Sequence, residues 1–283
     1  MPELRPMVES DVEAVHAMSV AAFGELVARQ GLEPHPEPDP AVAQLRLRHL
    51  LRTDPDGCWV TEDEQGISGV AIAILREGIW GLSLLVVRPD QQSSGVGSAL
   101  LTRANEYADG ARGRIILSSP DPRALRAYFR LGLEAHPSLD GIGVPRNVTM
   151  PDGIRQGGHD DIPFTAQVDA YVRGAAHGSD IAAQLEMGNT LLIAPQRGYA
   201  ITAGGEVRLL AAFDDDAASE LLRAALAHAG DQRAIVSWMT AKQQWAIGVC
   251  VEAGLKLTGD GGAVFVDGDV GPFTPYLPSG AFL

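Results

Sequence analysis

The run Val86-Val87-Arg88-Pro89-Asp90-Gln91-Gln92-Ser93-Ser94-Gly95-Val96-Gly97-Ser98-Ala99-Leu100-Leu101 constrains this chain more than any other. An apolar strand pattern passes through a polar turn into a helical pattern whose first turn holds two glycines. The first amides of a helix have no intrahelical acceptor and sit at the positive end of its dipole. Such a turn grips phosphate with main-chain N–H groups alone. Glycine at alternate positions lets the backbone come close to the ligand. A phosphorylated cofactor is the expected partner of this turn.

Three patterns compete for it. A P-loop needs a lysine after its second glycine, and none stands near, so that reading is excluded. A dinucleotide fingerprint is half present: Gly95 and Gly97 fit, Leu100 stands where the third glycine belongs, and Asp121 follows a strand as a ribose-binding carboxylate would. Seven residues separate Val87 from Gly95, however, where that fingerprint turns tightly off its strand. The third pattern fits throughout. Gln92-x-x-Gly95-x-Gly97, preceded by Val87-x-Pro89-Asp90, resembles motif A of the GCN5-related N-acetyltransferases, Arg/Gln-x-x-Gly-x-Gly/Ala. Downstream, Ala124-Leu125-Arg126-Ala127-Tyr128-Phe129-Arg130-Leu131-Gly132-Leu133 resembles the same family's Ala-x-x-x-Tyr-x-x-x-Gly signature. The resemblance spans about residues 1–145.

The resemblance implies a mixed α/β domain with a mainly antiparallel sheet and a splayed strand, using acetyl-CoA and no metal. It implies that the backbone of Leu85, Val86 and Val87 pairs with pantetheine. Residues Gln92, Ser93, Ser94, Gly95, Val96, Gly97 and Ser98 would cradle the pyrophosphate. Ser93 and Ser94 replace the family's usual glycine and basic residue, which removes a charge-assisted contact; Arg103 and Arg130 are candidates to supply it. Tyr128 matches the position that protonates the departing thiolate, against the plainer reading of a ring packed on an apolar helix face beside Phe129. A backbone N–H near Val87 would polarise the thioester carbonyl. An alkylammonium with pKa ~10.4 needs about 3.4 units, roughly 4.6 kcal/mol, to become neutral at pH 7. The strand Ile79–Leu85 carries no carboxylate for this, which leaves Glu77 just before it, or Ser83 through water, as candidate bases.

Charge and cysteine usage narrow the partners. A net charge of −14 argues against nucleic acid or an anionic membrane and is compatible with a cationic small-molecule amine. Two distant cysteines, Cys58 and Cys250, exclude a disulfide scaffold and offer no zinc spacing. Neither a basic-then-apolar leader nor an apolar run of ~18 residues appears, so the expected compartment is the cytoplasm. Asn147-Val148-Thr149 is a glycosylation sequon with no meaning there.

The chain reads as two halves. Residues 1–145 form the acetyl-CoA-binding domain, with a break at Pro34–Pro40; residues 146–164, rich in Gly, Pro, Asp and Asn, form a linker; residues 165–283 form a second domain of the same kind. Sliding by 121 residues places Leu221-Leu222 on Leu100-Leu101, and sliding by 122 places Gly254-Leu255 on Gly132-Leu133, which indicates an internal duplication. The copy is degenerate: the slide puts Phe213 on Gln92, Asp216 on Gly95, Ala218 on Gly97 and Cys250 on Tyr128. Asp214-Asp215-Asp216 would stabilise a helix start while repelling phosphate. The second half should close the first half's cleft, pack structurally, or make a homodimer contact.

Three other features carry expectations. In a helix over Thr165–Met187, Arg173, His177 and Asp180 share one face, read as a surface or interdomain ion-pair cluster more readily than as a substrate pocket. Trp80, Trp238 and Trp245 read as core before they read as an amine-binding aromatic pocket. The end, Pro275–Leu283, is too apolar for a solvated tail and should dock, with its terminus near the active site as an open possibility. The activity that follows is acetyl transfer from acetyl-CoA to a primary amine; the alternatives are a non-catalytic acyl-CoA sensor and a dinucleotide-binding protein.

Overall fold

The computed structural model describes residues 2–31, 39–259 and 262–283, so residues 34–38 of the proline-rich break lie outside the described residues. The chain divides into two units, Met1–Leu75 with Trp80–Ala111, and Arg76–Ile79 with Arg112–Leu283.

The first unit holds β1 (Glu3–Pro6), α1 (Val12–Gln30), α2 (Pro40–Thr53), β2 (Cys58–Asp63), β3 (Gly66–Arg76), β4 (Ile79–Val87) and α3 (Val96–Glu106). Its strands run in the order β1-β2-β3-β4. β1 and β3 pair antiparallel with β2 from either side, Arg5 opposite Val60 and Val70 opposite Val60. Asp11 precedes α1 but accepts from the Val8 amide at 2.9 Å and from Arg5 Nη1 at 2.7 Å, tying the helix start to β1. Trp80 is core: it is fully buried, and its Nε1 donates to Ala104 O of α3 at 3.0 Å.

The second unit holds β5 (Gly113–Ser118), α4 (Pro122–Arg130), β6 (Glu134–Pro137), β7 (Leu139–Gly143), β8 (Arg155–Gln156), α5 (Ile162–Val172), α6 (Ser179–Glu186), β9 (Thr190–Ala194), β10 (Gly198–Ala203), β11 (Glu206–Ala212), α7 (Asp215–Ala229), β12 (Ala234–Met239), α8 (Gln244–Glu252), β13 (Lys256–Thr258), β14 (Ala263–Gly268) and β15 (Tyr276–Leu277). The stretch read as linker thus contributes β8, which pairs with β9. The apolar face of α7, including Ala217, Leu221, Leu222 and Ala225, forms a core with Leu192, Ala200 and Leu210 of the strands beneath.

Two strands cross between the halves. β14, near the C-terminal end of the sequence, runs antiparallel between β5 and β6, with Phe265 opposite Ile116 on one side and Ala135 on the other. β7 does the reverse. It lies between β12 and β13, with Gly141 opposite Val236 and Leu257. The sheet then runs β13-β7-β12-β11-β10-β9-β8. At Gly262, just before β14, φ is +82° and an added Cβ would strike Ser118 O, so the entry into this slot is built for glycine.

The helix expected over Thr165–Met187 is broken. The Arg173 amide still closes onto Asp169 O at 2.9 Å, but the chain then turns back so that the His177 amide reaches Asp169 Oδ2 at 3.2 Å. Arg173, His177 and Asp180 therefore share no helix face, and all three are buried. Asp180 takes both Nε and Nη2 of Arg76, at 2.7 and 2.9 Å. His177 Nδ1 lies 2.8 Å from Asp169 Oδ2, and its Nε2 lies 2.8 Å from Leu283 O. Removing one partner of the Arg76–Asp180 pair would strand a buried charge, at a cost of about 3–5 kcal/mol.

Candidate active site

The glycine turn lies wholly in the first unit. β4 delivers Val87, and Arg88 then fixes the exit: its amide donates to Ser68 O at 2.9 Å, and its guanidinium reaches Asp63 and Asp90, each at 2.6 Å. These charge-assisted bonds hold both carboxyls below the ordinary aspartate range. Gln92 folds back, its Nε2 donating to Val87 O at 3.1 Å. Ser94 Oγ donates to Gln91 O at 2.5 Å. Ser93 and Gly95 take left-handed backbone conformations, φ +65° and +96°, which turn the following amides outward.

Gly95 is the N-cap of α3, and no side chain caps the helix. The Ala99 amide closes the first turn onto Gly95 O at 3.0 Å. The amides of Val96, Gly97 and Ser98 are those an α-helix leaves without an intrahelical acceptor. Ser93, Ser94, Gly95 and Ser98 are exposed, and Leu85 and Val87 are half-buried beside the buried Val86. A Cβ on Gly97 would meet Val87 Cγ2 at 3.4 Å, an ordinary contact, in keeping with a position where alanine also serves. The donors, their exposure and the helix end together fit a diphosphate.

Sequence reasoning missed one cation here. Arg29, in the last turn of α1, donates from Nη1 to Gln92 Oε1 at 3.3 Å, which brings a guanidinium to the loop. Arg103 is engaged elsewhere: it pairs with Glu106 and stacks over Trp59, 4.4 Å from the ring centroid. Arg130 is exposed in the last turn of α4. No spacing rule connects residues 29 and 92, so only the fold reveals the contact.

The other expected site residues belong to the second unit, Ser83 on β4 excepted. Tyr128 is the buried residue of α4, a helix capped by Asp121, whose carboxylate accepts from the Arg123 amide at 2.9 Å. Burial pushes the Tyr128 phenol above its ordinary range, and the negative charge of Asp121 adds to that. Glu77 sits in the turn between β3 and β4 with φ +46°, and its Oε2 accepts from the Ala176 amide at 2.8 Å. Trp245 packs against the core under α7, and Trp238 adopts φ +67° within β12. Among the described residues, no group of three His, Cys, Asp or Glu could hold a metal ion. No described helix is long and apolar enough to cross a membrane.

Residues 54–134 match the family model described as an acetyltransferase (GNAT) domain. The match places a GNAT acetyltransferase domain within that stretch of the chain. Its fold resembles a putative acetyltransferase from Pyrococcus horikoshii, at 14% identity, TM-score 0.80, covering 99% of this chain and 95% of that one. A GCN5-related N-acetyltransferase from Sphaerobacter thermophilus is similar at 15% identity and TM-score 0.58, covering 95% and 96%. A tandem GNAT protein from the clavulanic acid biosynthesis pathway is similar at 13% identity and TM-score 0.58, covering 95% and 99%. No curated protein matches the chain. The layout, two mixed sheets flanked by eight helices among the described residues, resembles in fold that of the tandem GNAT protein.

The C-terminal half handles the corresponding turn differently. β4 and α3 are joined by residues 88–95, whereas β11 and α7 are joined by residues 213–214 alone. A constant slide set Asp216 on Gly95; the helix starts instead set Asp214, the N-cap of α7, on Gly95, because the copy's turn is shorter. Asp214 Oδ1 accepts from the Ala217 amide at 2.7 Å. Phe213 is covered by Tyr171 and Phe164, with ring centroids at 5.3 and 6.5 Å. β11 and β12 pair only over Glu206–Val207, and beyond that β15 takes the free edge, Leu277 opposite Leu210 and Tyr276 opposite Ala211. The apolar C-terminal segment thus docks along the three residues that correspond to Leu85–Val87.

Proposed function

We propose that this GNAT acetyltransferase moves an acetyl group from acetyl-CoA to a primary amine of a small molecule, by direct attack in a ternary complex. One acetyl-CoA binds per chain, at the domain formed by residues 1–145; the domain of residues 165–283, joined by 146–164, binds none. The carrying observation is the start of α3, which no side chain caps, set against the start of α7, which Asp214 caps.

In this reading, the amides of Gln92 to Ser98 hold the pyrophosphate, and Arg29 adds the charge that Ser93 and Ser94 do not provide. The main chain of Leu85–Val87 pairs with pantetheine, and an N–H near Val87 draws electron density from the thioester carbonyl. The ammonium first gives up a proton, and the neutral amine attacks that carbon; the C–N bond forms as the C–S bond breaks, and the nitrogen then releases its extra proton to solvent. Tyr128 gives its proton to the leaving sulfur and regains one from water. Its raised pKa keeps the phenol protonated through the physiological range. Glu77 remains the carboxylate nearest in sequence to β4 and is proposed as the base through water.

One observation favours a second reading, an acyl-CoA sensor: β4 holds no carboxylate, and Glu77 Oε2 is committed to the Ala176 amide. Calorimetric titration with acetyl-CoA, followed by thiol release across primary amines, polyamines, aminoglycosides and peptides, separates the two. The enzyme shows one site and amine-dependent release; a sensor shows one site and no release with any acceptor. Absence of binding discards both.

A further inference from the structure

We infer that Phe265, on the strand that crosses from the C-terminal half, is a positioning residue that aims the Tyr128 hydroxyl. This rests on the reading of Tyr128 as proton donor. Tyr128 is the side chain that α4 buries, at 5% exposure, while its neighbour Phe129 points outward at 68%. The Phe265 ring, 1% exposed, meets the Tyr128 ring edge-on, with centroids 5.6 Å apart and planes at 75°. The backbone of Phe265 is paired on both sides, with Ile116 and Ala135, which fixes the point from which its buried ring meets the phenol. A proton donor displaced by about 1 Å forfeits on the order of 10²-fold in rate, which makes such a buttress part of the reaction's geometry.

The other exchanged strand supplies an independent observation. Cys250 on α8 stands where Tyr128 stands on α4. Against it β7 presents Gly141, where an added Cβ would come within 2.9 Å of Cys250 Sγ. Each exchanged strand therefore matches the helix it supports: a ring under the tyrosine, no side chain under the cysteine. The C-terminal half, with its own turn closed, contributes Phe265 to the half whose turn is open.

The test is a double-mutant cycle on the full chain with acetyl-CoA and the best acceptor amine. Phe265→Leu should lower kcat by about 10- to 100-fold while KM for acetyl-CoA stays within about 2-fold. With Tyr128 present, the alkaline fall in kcat should begin at a lower pH in Phe265→Leu than in the unsubstituted chain, because a loosened, hydrated phenol titrates earlier. In a Tyr128→Phe background, Phe265→Leu should cost kcat less than about 2-fold more. Val264→Ala, which truncates the opposite face of the same strand, should lower Tm but leave kcat within about 2-fold. If Phe265→Leu does not fold, Phe265→Met keeps the volume and serves in its place. Equal losses in both backgrounds, or an unchanged kcat, overturn the inference. An unchanged kcat in Tyr128→Phe alone overturns the reading beneath it as well.

Discussion

The turn into α3 and the turn into α7 follow corresponding strands, yet they dispose of their helix ends in opposite ways. At α7, Asp214 takes the Ala217 amide, Phe213 is roofed by Tyr171 and Phe164, and β15 occupies the strand edge beside it. At α3, a left-handed Gly95 supplies no cap, and the serines around it are exposed. An N-cap carboxylate is worth about 1 kcal/mol to a helix. The second half keeps that stabilisation within its own turn; the first half leaves its helix start without a side-chain cap. The difference lies in a few residues of the turn.

Four experiments try that contrast, from the largest expected effect to the smallest. Tyr128→Phe, which leaves α4 without a hydroxyl as α8 is at Cys250, should lower kcat by about 10²-fold or more while acetyl-CoA affinity holds, as steady-state kinetics and calorimetry would show. Gly95→Asp places the α7 solution on α3. The left-handed backbone costs an aspartate about 1–2 kcal/mol and the carboxylate faces phosphate, so affinity should fall about 100-fold by calorimetry. Arg29→Gln keeps the reach toward Gln92 but removes the charge, so KM for acetyl-CoA should rise about 5-fold, less at high salt. Reversing the logic, Phe213→Gln with Asp214→Gly should leave the stoichiometry at one acetyl-CoA per chain, because β15 still fills the edge of β11. A second calorimetric site would show that the turn alone closes the copy.

Alkaline titration compares the two units differently. Burial pushes the thiols of Cys58 and Cys250, one in each unit, up to about 12 from the ordinary 9.0, with Asp54 adding to the effect at Cys58. Above pH 9 the unfolded chain loses these protons while the folded chain keeps them. Stability is therefore full below pH 9 and declines as pH rises toward 12. Urea midpoints between pH 8 and 11 should fall for the native chain and fall less steeply for Cys250→Ala.

Much of this protein was written locally. The strands Ile79–Val87, Thr190–Ala194 and Ala234–Met239 lie where alternation and turn residues put them, because apolar period and Gly or Pro punctuation act over a few neighbours. The glycine turn and the repeat could be read the same way. Other features depend on partners far along the chain. A strand over Gly262–Asp267 is legible in the sequence, but its place between β5 and β6, strands far back along the chain, is not. The helix expected through Arg173 broke because Asp169 and Asp180 found partners, His177 and Arg76, that only burial brings near. Arg29 reached Gln92 across the packing of α1. Sequence by itself determined most of the elements and the glycine turn between β4 and α3, since each is encoded in contiguous residues. Tertiary structure alone decided which half receives each exchanged strand and which turn stays open, since those outcomes compare competing long-range ladders and buried pairs that no local pattern ranks.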